Sequence, residues 1–349
     1  MRLPNIIELS FCAVIFCTSG AHAQGHKDFY RYCMDQSIST SEANTIVAIM
    51  IKMQVWPERS ERYCQATADL VTARPDLNLY PNPFERAREP ITDLRPVVIL
   101  KNIRSLTLSW NAVQDISLLG QMTQLEVLNL YHNQISDIGA LSSLTNLREL
   151  TISNNLISDI SPISRLKNLR ELGMSANQIS DLSPLTELRE LRVIFAEDNQ
   201  ISDLNPIAGL IRMEYFSAPK NQIDSIAAMS DMSKLKHLSL ADNQIQNIDA
   251  LSQKSDLEAV DLRDNRIDSV KVFSDMRKLR WLSIESNMVS DVEPISASIS
   301  LKHLILSHNQ ICTFPEELLA LQEEHSNWAG ESIVMKLTGI NDQDRRNCP

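Results

Sequence analysis

The residues able to do chemistry are present in number, but their spacing suits little of it. Serine, histidine and aspartate are all plentiful. There is no Gly-x-Ser-x-Gly turn to present a nucleophilic serine, and no glycine-rich loop whose backbone amides would cradle a phosphate. With only 8 glycines in 349 residues, such a nest of amides would be hard to build. The cysteines remain. Cys12 and Cys17 sit in an apolar leader, while Cys33, Cys64, Cys312 and Cys348 form an even set. Such a set fits disulfides in an oxidising compartment, or free buried thiols in a reducing one. Four cysteines permit three pairings, and composition alone does not choose.

The elements that position these residues begin with the leader. Met1-Arg2-Leu3, an apolar stretch around Phe11 to Phe16, and Ala21-His22-Ala23 before Gln24 follow the three-part layout of a cleaved secretory signal. The apolar run is shorter than the ~20 residues of a spanning helix, so residues 1–23 are expected to be a signal peptide and no membrane insertion is expected. Cys17 follows Ile15 and Phe16 rather than small residues, which argues against a lipid anchor. Arg2 and Glu8 cancel, so removal of the leader keeps the formal charge of -11. Without a Lys/Arg-rich run, a field of that sign repels phosphate backbones and anionic bilayers, and excludes nucleic acid as a natural partner.

The strongest signal is a period. Asn111, Asn133, Asn155, Asn177, Asn199, Asn221, Asn243, Asn265, Asn287 and Asn309 stand 22 residues apart without a slip. Around each recurs one frame, as in Leu147-x-x-Leu150-x-Ile152-x-x-Asn155-x-Ile157-x-x-Ile160, completed by Pro162, Ile163 and Leu166. The Leu-x-Leu alternation predicts a short strand with one face inward. The Asn then turns the chain, its side chain both donating and accepting where the strand ends. Asp115, Asp137, Asp159, Asp181, Asp203 and Asp291, with Ser225, Asn247 and Ser269 in other copies, fit turn acceptors ahead of the outer segment. One coil cannot bury enough apolar surface to offset its ordering entropy, so coils must stack. Ten of them at ~4.8 Å per strand make a stack of about 48 Å with two open ends.

This frame resembles the 22-residue class of leucine-rich repeats seen in bacterial internalin-like proteins, over roughly residues 91–314. The resemblance implies an α/β solenoid: a shallow arc with a concave parallel β-sheet, short helical or 3-10 convex segments, and a role in protein recognition. Residues 24–90 lack the period and are expected to form a helical N-terminal cap. Ser39-x-x-Glu42 is a capping-box pattern, and Pro57 suits the first turn of a helix through Tyr63 to Val71. Residues 91–314 hold ten full repeats and a partial one. Residues 315–349 form the C-terminal cap, with a short helix from Pro315 through Leu321 and a strand within Ser332 to Leu337. Disulfides need Cα atoms within ~7 Å, and the cysteine pairs sit at opposite ends of a much longer stack. The geometry therefore selects Cys33–Cys64 and Cys312–Cys348.

Side chains between the core leucines face the concave side in three columns, beginning at Ser105, Thr107 and Ser109 and repeating in step with the asparagines. Phe195 and Tyr215 fall on adjacent coils, Trp281 lies beside His303 and Ile305, and Tyr131 and Glu197 stand in the third column. Exposed aromatics with a polar rim are what interface anchors look like; packing among themselves on an open sheet is the plainer alternative. Glu149, Glu171, Glu197, Asp198, Asp261 and Asp264 surround them and favour a partner with a basic patch. His237 and His303 lie three coils apart, about 14 Å at strand spacing, too far to share one metal. No cofactor, metal or catalytic residue is expected. The sequence thus predicts a secreted, monomeric, non-enzymatic protein that holds a protein partner on its concave face. An inhibitor of a secreted hydrolase and a structural envelope component are the alternatives.

Overall fold

A computed structural model describes residues 20–55, 59–81, 89–296, 300–316, 318 and 335–336. Residues 1–19 of the expected signal peptide lie outside them, and residues 20–23 fall in the first turn of helix α1 (Gly20–Met34), which runs through the expected cleavage position. α2 (Thr40–Lys52) and α3 (Glu61–Thr72) complete the N-terminal helices. The capping box forms as the sequence predicts: Glu42 N–H donates to Ser39 Oγ at 3.3 Å and Ser39 N–H to Glu42 Oε2 at 2.7 Å. α3 starts later than expected, at Glu61 with Ser60 as its N-cap; Pro57 lies outside the described residues.

Twelve strands form one parallel sheet in strict chain order. The repeats supply β2 (Ser105–Thr107), β3 (Val127–Asn129), β4 (Glu149–Thr151), β5 (Glu171–Gly173), β6 (Val193–Phe195), β7 (Tyr215–Ser217), β8 (His237–Ser239), β9 (Ala259–Asp261), β10 (Trp281–Ser283) and β11 (His303–Ile305). Every pairing is shifted by one period, for example Leu150↔Leu172 and Leu172↔Ile194. The middle residue of each strand points into a single apolar core that runs the length of the stack. On the far side the coils close through 3-10 turns, from Ser117–Gln121 to Lys271–Phe273, with α4 (Arg95–Val98) and α5 (Glu293–Ser296) at the two ends.

Two strands extend the sheet beyond the periodic copies. β12 (Met335–Lys336) pairs with β11, where the sequence predicts a C-terminal strand. β1 (Asp76–Asn78) pairs with β2 in the register Leu77↔Leu106, so the cap expected to be helical also contains a strand. Leu77-x-Leu79 has the alternation of a repeat strand, but stands 29 residues ahead of its partner Leu106 and out of phase with the rest.

The asparagine ladder explains why the coils stay in step. Asn133 Oδ1 accepts from Val113 N–H of the preceding coil at 3.0 Å. Its Nδ2 donates to Leu108 O of that coil and to Leu130 O of its own, both at 3.0 Å. The same set recurs down the stack to Asn309. Eight of the nine predicted turn acceptors take the backbone N–H two residues on, with Asp137 Oδ1 taking Gly139 N–H at 2.7 Å and Asp181 Oδ1 taking Ser183 N–H at 2.7 Å; Ser269 shows no such bond. Hydrogen bonds from Ser183 hold the Asp181 carboxyl below the usual carboxylate range.

The N-terminal helices join the first coil through buried polar contacts. Tyr32 OH donates to the Glu42 carboxylate, and Arg95 reaches Glu42 at 3.2 Å. Burial alone would raise the Glu42 carboxyl; hydrogen bonds from Tyr32 and Ser39, with Arg95 nearby, outweigh it and hold the group low. Thr45 Oγ1 donates to Asp93 O at 2.8 Å. The Cys33–Cys64 disulfide ties α1 to α3, with Cα atoms 5.7 Å apart. Of the second expected bridge, Cys312–Cys348, Cys348 lies outside the described residues.

Candidate functional site

The concave face is built from the first and third residues of each strand and from the residue two further on. In every repeat a left-handed residue immediately precedes the Asn, from Trp110 (φ 58°) through Ala176 (φ 51°) to His308 (φ 56°). This turn ends each strand after a few residues and fixes which side chains face outward. The three columns expected to be open are only partly so. Ser109, Ser153, Ser307 and Ala241 in the third column are buried, as are Ser217, Asp261 and Ser283 in the second. These small or paired side chains sit between larger neighbours; Ser153 Oγ, for instance, accepts from Ser175 N–H at 2.9 Å.

What remains open is concentrated in the large side chains. Phe195 is 42% exposed, and Tyr131, Glu197, Tyr215, Trp281, His303 and Ile305 are half-buried. The structure sorts these residues into three groups. Phe195 and Tyr215 pack with ring centroids 4.8 Å apart, and Tyr215 continues onto His237 at 5.4 Å, giving a run of rings across β6, β7 and β8. Trp281 and His303 are register partners on β10 and β11, with Ile305 beside Ser283. Among the described residues no ring contact joins this pair to the first run, from which β9 separates it. Tyr131 stands apart near the N-terminal end, in contact with Trp110 at 5.8 Å and His132 at 5.9 Å.

Trp110 and His132 are the residues that column reasoning misses. Their rings stack at 3.7 Å and Trp110 is 46% exposed. They occupy the left-handed position before the Asn, which lies outside the three columns; an aromatic there in two successive repeats is the signal that could have found them. His237 enters as a partner for Tyr215 rather than as a ligand. Residues 22 and 26 are histidines four apart in α1, a spacing used by metal sites. Among the described residues no cluster of three or more metal-ligating side chains occurs.

The acidic surround is partly neutralised from within. Arg263 holds Asp261 through two hydrogen bonds of 2.9 and 2.8 Å, and this contact raises the guanidinium pKa further. Lys220 Nζ reaches Glu197 at 3.3 Å. Between Tyr131 and Phe195 the face dips into a concavity of about 490 Å³, with Glu149, Glu171 and Glu197 on its walls and Gly173 in its floor.

This architecture is that of a leucine-rich-repeat solenoid, and the comparisons agree. Family models described as leucine-rich repeats match residues 101–143 and 145–187, 233–289, and 300–321. Among solved structures, an internalin (inlF) of Listeria monocytogenes is 28% identical with a TM-score of 0.62, covering 77% of this chain and 82% of that one. A leucine-rich-repeat protein of Leptospira interrogans is similar in fold at 22% identity and a TM-score of 0.55, covering 64% of this chain and 65% of that one. So is the ectodomain of the Arabidopsis thaliana receptor kinase GASSHO1/SCHENGEN3, solved in complex with Casparian strip integrity factor 2. It shows 21% identity and a TM-score of 0.57, covering 63% of this chain and 29% of that one. A search of curated proteins found no match.

Proposed function

We propose that this chain is an exported, monomeric binding protein that holds a protein partner with a basic surface on its concave sheet and performs no chemistry of its own. The observation that carries the reading is the run of rings Phe195–Tyr215–His237, extended toward the C-terminal end by Trp281, His303 and Ile305. These side chains add nothing to the leucine core, and aromatic anchors of this kind dominate protein interfaces. Export is supported by the leader layout and by the Cys33–Cys64 bridge, which belongs to oxidising compartments. No described helix is long and apolar enough to cross a membrane. Similarity to a Listeria internalin, and the plant ectodomain seen in complex with a named factor, fit a recognition role.

Crosslinking capture of a partner from the protein's native surroundings tests the reading. Tyr215→Ala and Trp281→Ala should each weaken binding of the captured protein by more than ~1 kcal/mol, roughly fivefold, with Tm nearly unchanged. Undiminished binding by both variants would remove the concave face as the docking surface.

A further inference from the structure

The sequence holds no run of basic residues, but its period assembles one in space. Arg148, Arg170 and Arg192 immediately precede β4, β5 and β6 and stand one above another along the edge where each coil enters its strand. Arg170 N–H donates to Arg148 O at 2.8 Å and Arg192 N–H to Arg170 O at 2.9 Å. At ~4.8 Å per strand the row is about 10 Å long, and all three side chains are exposed.

Elsewhere on this edge opposite charges pair between neighbouring coils. At the same position of the repeat Arg104 meets Glu126 at 2.6 Å and Lys236 meets Glu214 at 2.7 Å. Two residues earlier, Lys278 meets Asp256 at 2.7 Å and Arg212 meets Glu190. The arginine row breaks that pattern. Arg148 leans to Glu126 at 3.8 Å and Arg192 to Glu214 at 3.6 Å, one at each end, which leaves Arg170 between two like charges. Among the described residues neither Arg170 nor Lys167, exposed three residues before it, has an ion-pair partner. A second row runs beside the first. Glu149 and Glu171 directly follow Arg148 and Arg170, are register partners on β4 and β5, and are exposed. Among the described residues no ion pair joins the two rows.

We infer that the arginine row is a docking strip for an acidic segment of a protein partner, separate from the aromatic run on β6 to β8. The inference rests on the reading of the chain as a protein-binding module and adds a second contact to it. Charge complementarity selects the occupant. A uniform polyanion, whether glycan, nucleic acid or lipid headgroups, would lie beside Glu149 and Glu171 as well and be repelled by them. A protein surface can set carboxylates against one row and cations against the other. Guanidinium groups bind carboxylates in a planar forked geometry that ammonium groups do not offer, which suits a row built from arginine alone. The formal charge of -11 does not prevent such binding, because at physiological salt fields fade over about 8 Å and the row acts at contact.

The test titrates the full chain at physiological salt with a capped Gly-Gly-Glu-Asp-Glu-Gly-Gly peptide, its Gln-Asn-Gln counterpart and a trimeric oligouronate of equal charge, followed by amide chemical shifts. Shifts from the acidic peptide should centre on the residues that lead into β4 to β6. The neutral peptide should bind about tenfold more weakly, the product of three exposed contacts worth roughly twofold each, and the oligouronate should also bind more weakly. Arg148→Gln/Arg170→Gln/Arg192→Gln should lose the same factor while unfolding in urea near the wild-type midpoint, which separates lost recognition from lost folding. Lys271→Gln/Arg277→Gln/Arg280→Gln, an equal change of charge toward the other end of the stack, should stay within about twofold of wild type. Equal binding of the two peptides, binding of the oligouronate as tight as that of the acidic peptide, or equal losses from the two triple variants overturns the inference. If any of these occurs while Tyr215→Ala still loses the captured partner, the arginine strip fails and the concave-docking reading stands.

Discussion

Replacing Asn155 by alanine isolates what the amide ladder contributes, because the ladder is redundant at every atom but one. Asn155 Nδ2 donates to Leu130 O and Ile152 O at 3.0 Å and to Ser153 O at 3.2 Å. Each of those carbonyls keeps another donor: Asn133 Nδ2 for Leu130, Asn177 Nδ2 for Ile152 and His132 N–H for Ser153. The Ile135 N–H is different, since Asn155 Oδ1 at 3.0 Å is its acceptor and Ile135 is fully buried. An orphaned buried donor costs about 1–3 kcal/mol, and three thinned carbonyls add roughly 1 kcal/mol, so Asn155→Ala should cost about 2–4 kcal/mol. Asn155→Asp keeps the acceptor and the shape but sets a carboxylate against three carbonyl oxygens, and at neutral pH should cost more than alanine. Its carboxyl pKa in the folded state is then raised above the unfolded value. The extra penalty is complete above the folded pKa and fades as pH falls from there toward the unfolded value, where the neutral acid can donate. Urea unfolding followed by circular dichroism at pH 7.5 and pH 4.5 reads all of this. An alanine variant within about 0.5 kcal/mol of wild type, or an aspartate variant no worse than alanine at pH 7.5, would refute the accounting.

The turn and the core offer two more tests. Ala176 sits at φ 51°, where a Cβ costs roughly 1–2 kcal/mol; part of that is recovered with glycine, less its greater unfolded-state entropy. Ala176→Gly should therefore stabilise by about 0.5–1 kcal/mol, and a drop in urea midpoint would show that the turn is not strained there. Lys254 occupies a position that is apolar at Met122, Leu144, Leu166, Leu188, Leu210, Met232 and Met276, and is itself only 3% exposed. Burial lowers its ammonium pKa, against a weaker opposing pull from Asp231, and its Nζ donates to Ser230 O at 2.9 Å. Lys254→Met should stabilise by about 1 kcal/mol at neutral pH. The penalty on the charged lysine is complete below its folded pKa and is relieved as pH rises toward the unfolded value near 10.4, so the gap between variant and wild type should narrow toward pH 10. A gap that stays constant across that range would sink the desolvation argument.

The legible part of the fold was the part that repeats. Asparagine, leucine and the turn aspartates announce themselves because every coil solves the same problem, the unsatisfied backbone where a strand ends, with the same side chain. β1 was not legible, although Leu77-x-Leu79 has the right alternation, because its coil is longer and a search for a fixed period discards it. Its membership is nevertheless backed by the ladder: Asn111 Nδ2 donates to Leu79 O at 3.2 Å, just as later asparagines reach the coil before their own. Trp110 and His132 were hidden for another reason. Their position is defined by a left-handed backbone rather than by strand alternation; Asn154, Asp198, Asp242 and Asp264 in that column are types that tolerate a positive φ, but Trp110 itself is not one of them. The proximity of Phe195 to Tyr215 could be read directly, since they stand on neighbouring strands in adjacent columns.

Charge shows the same division between what a count reveals and what geometry decides. The formal charge of -11 argues for a basic partner but treats all carboxylates alike. In the folded chain Glu126, Glu190, Glu197, Glu214, Asp256 and Asp261 already have cations within 4.0 Å, most of them supplied by a neighbouring coil. Exposed pairs of this kind contribute little to stability, yet they remove those charges from what a partner senses at close range. Glu149 and Glu171 escape the pattern. A cation placed between them would relieve a repulsion and form two contacts at once, so recognition should depend more steeply on this pair than on any other two acids of the face. Neutralising Asp203 and Asp291, whose carboxylates already take backbone N–H groups ahead of the convex turns, should change the net charge as much as Glu149→Gln/Glu171→Gln and leave binding of the captured partner within about twofold. Equal losses from the two double variants would mean that the overall field, and not the Glu149 and Glu171 pair, selects the partner.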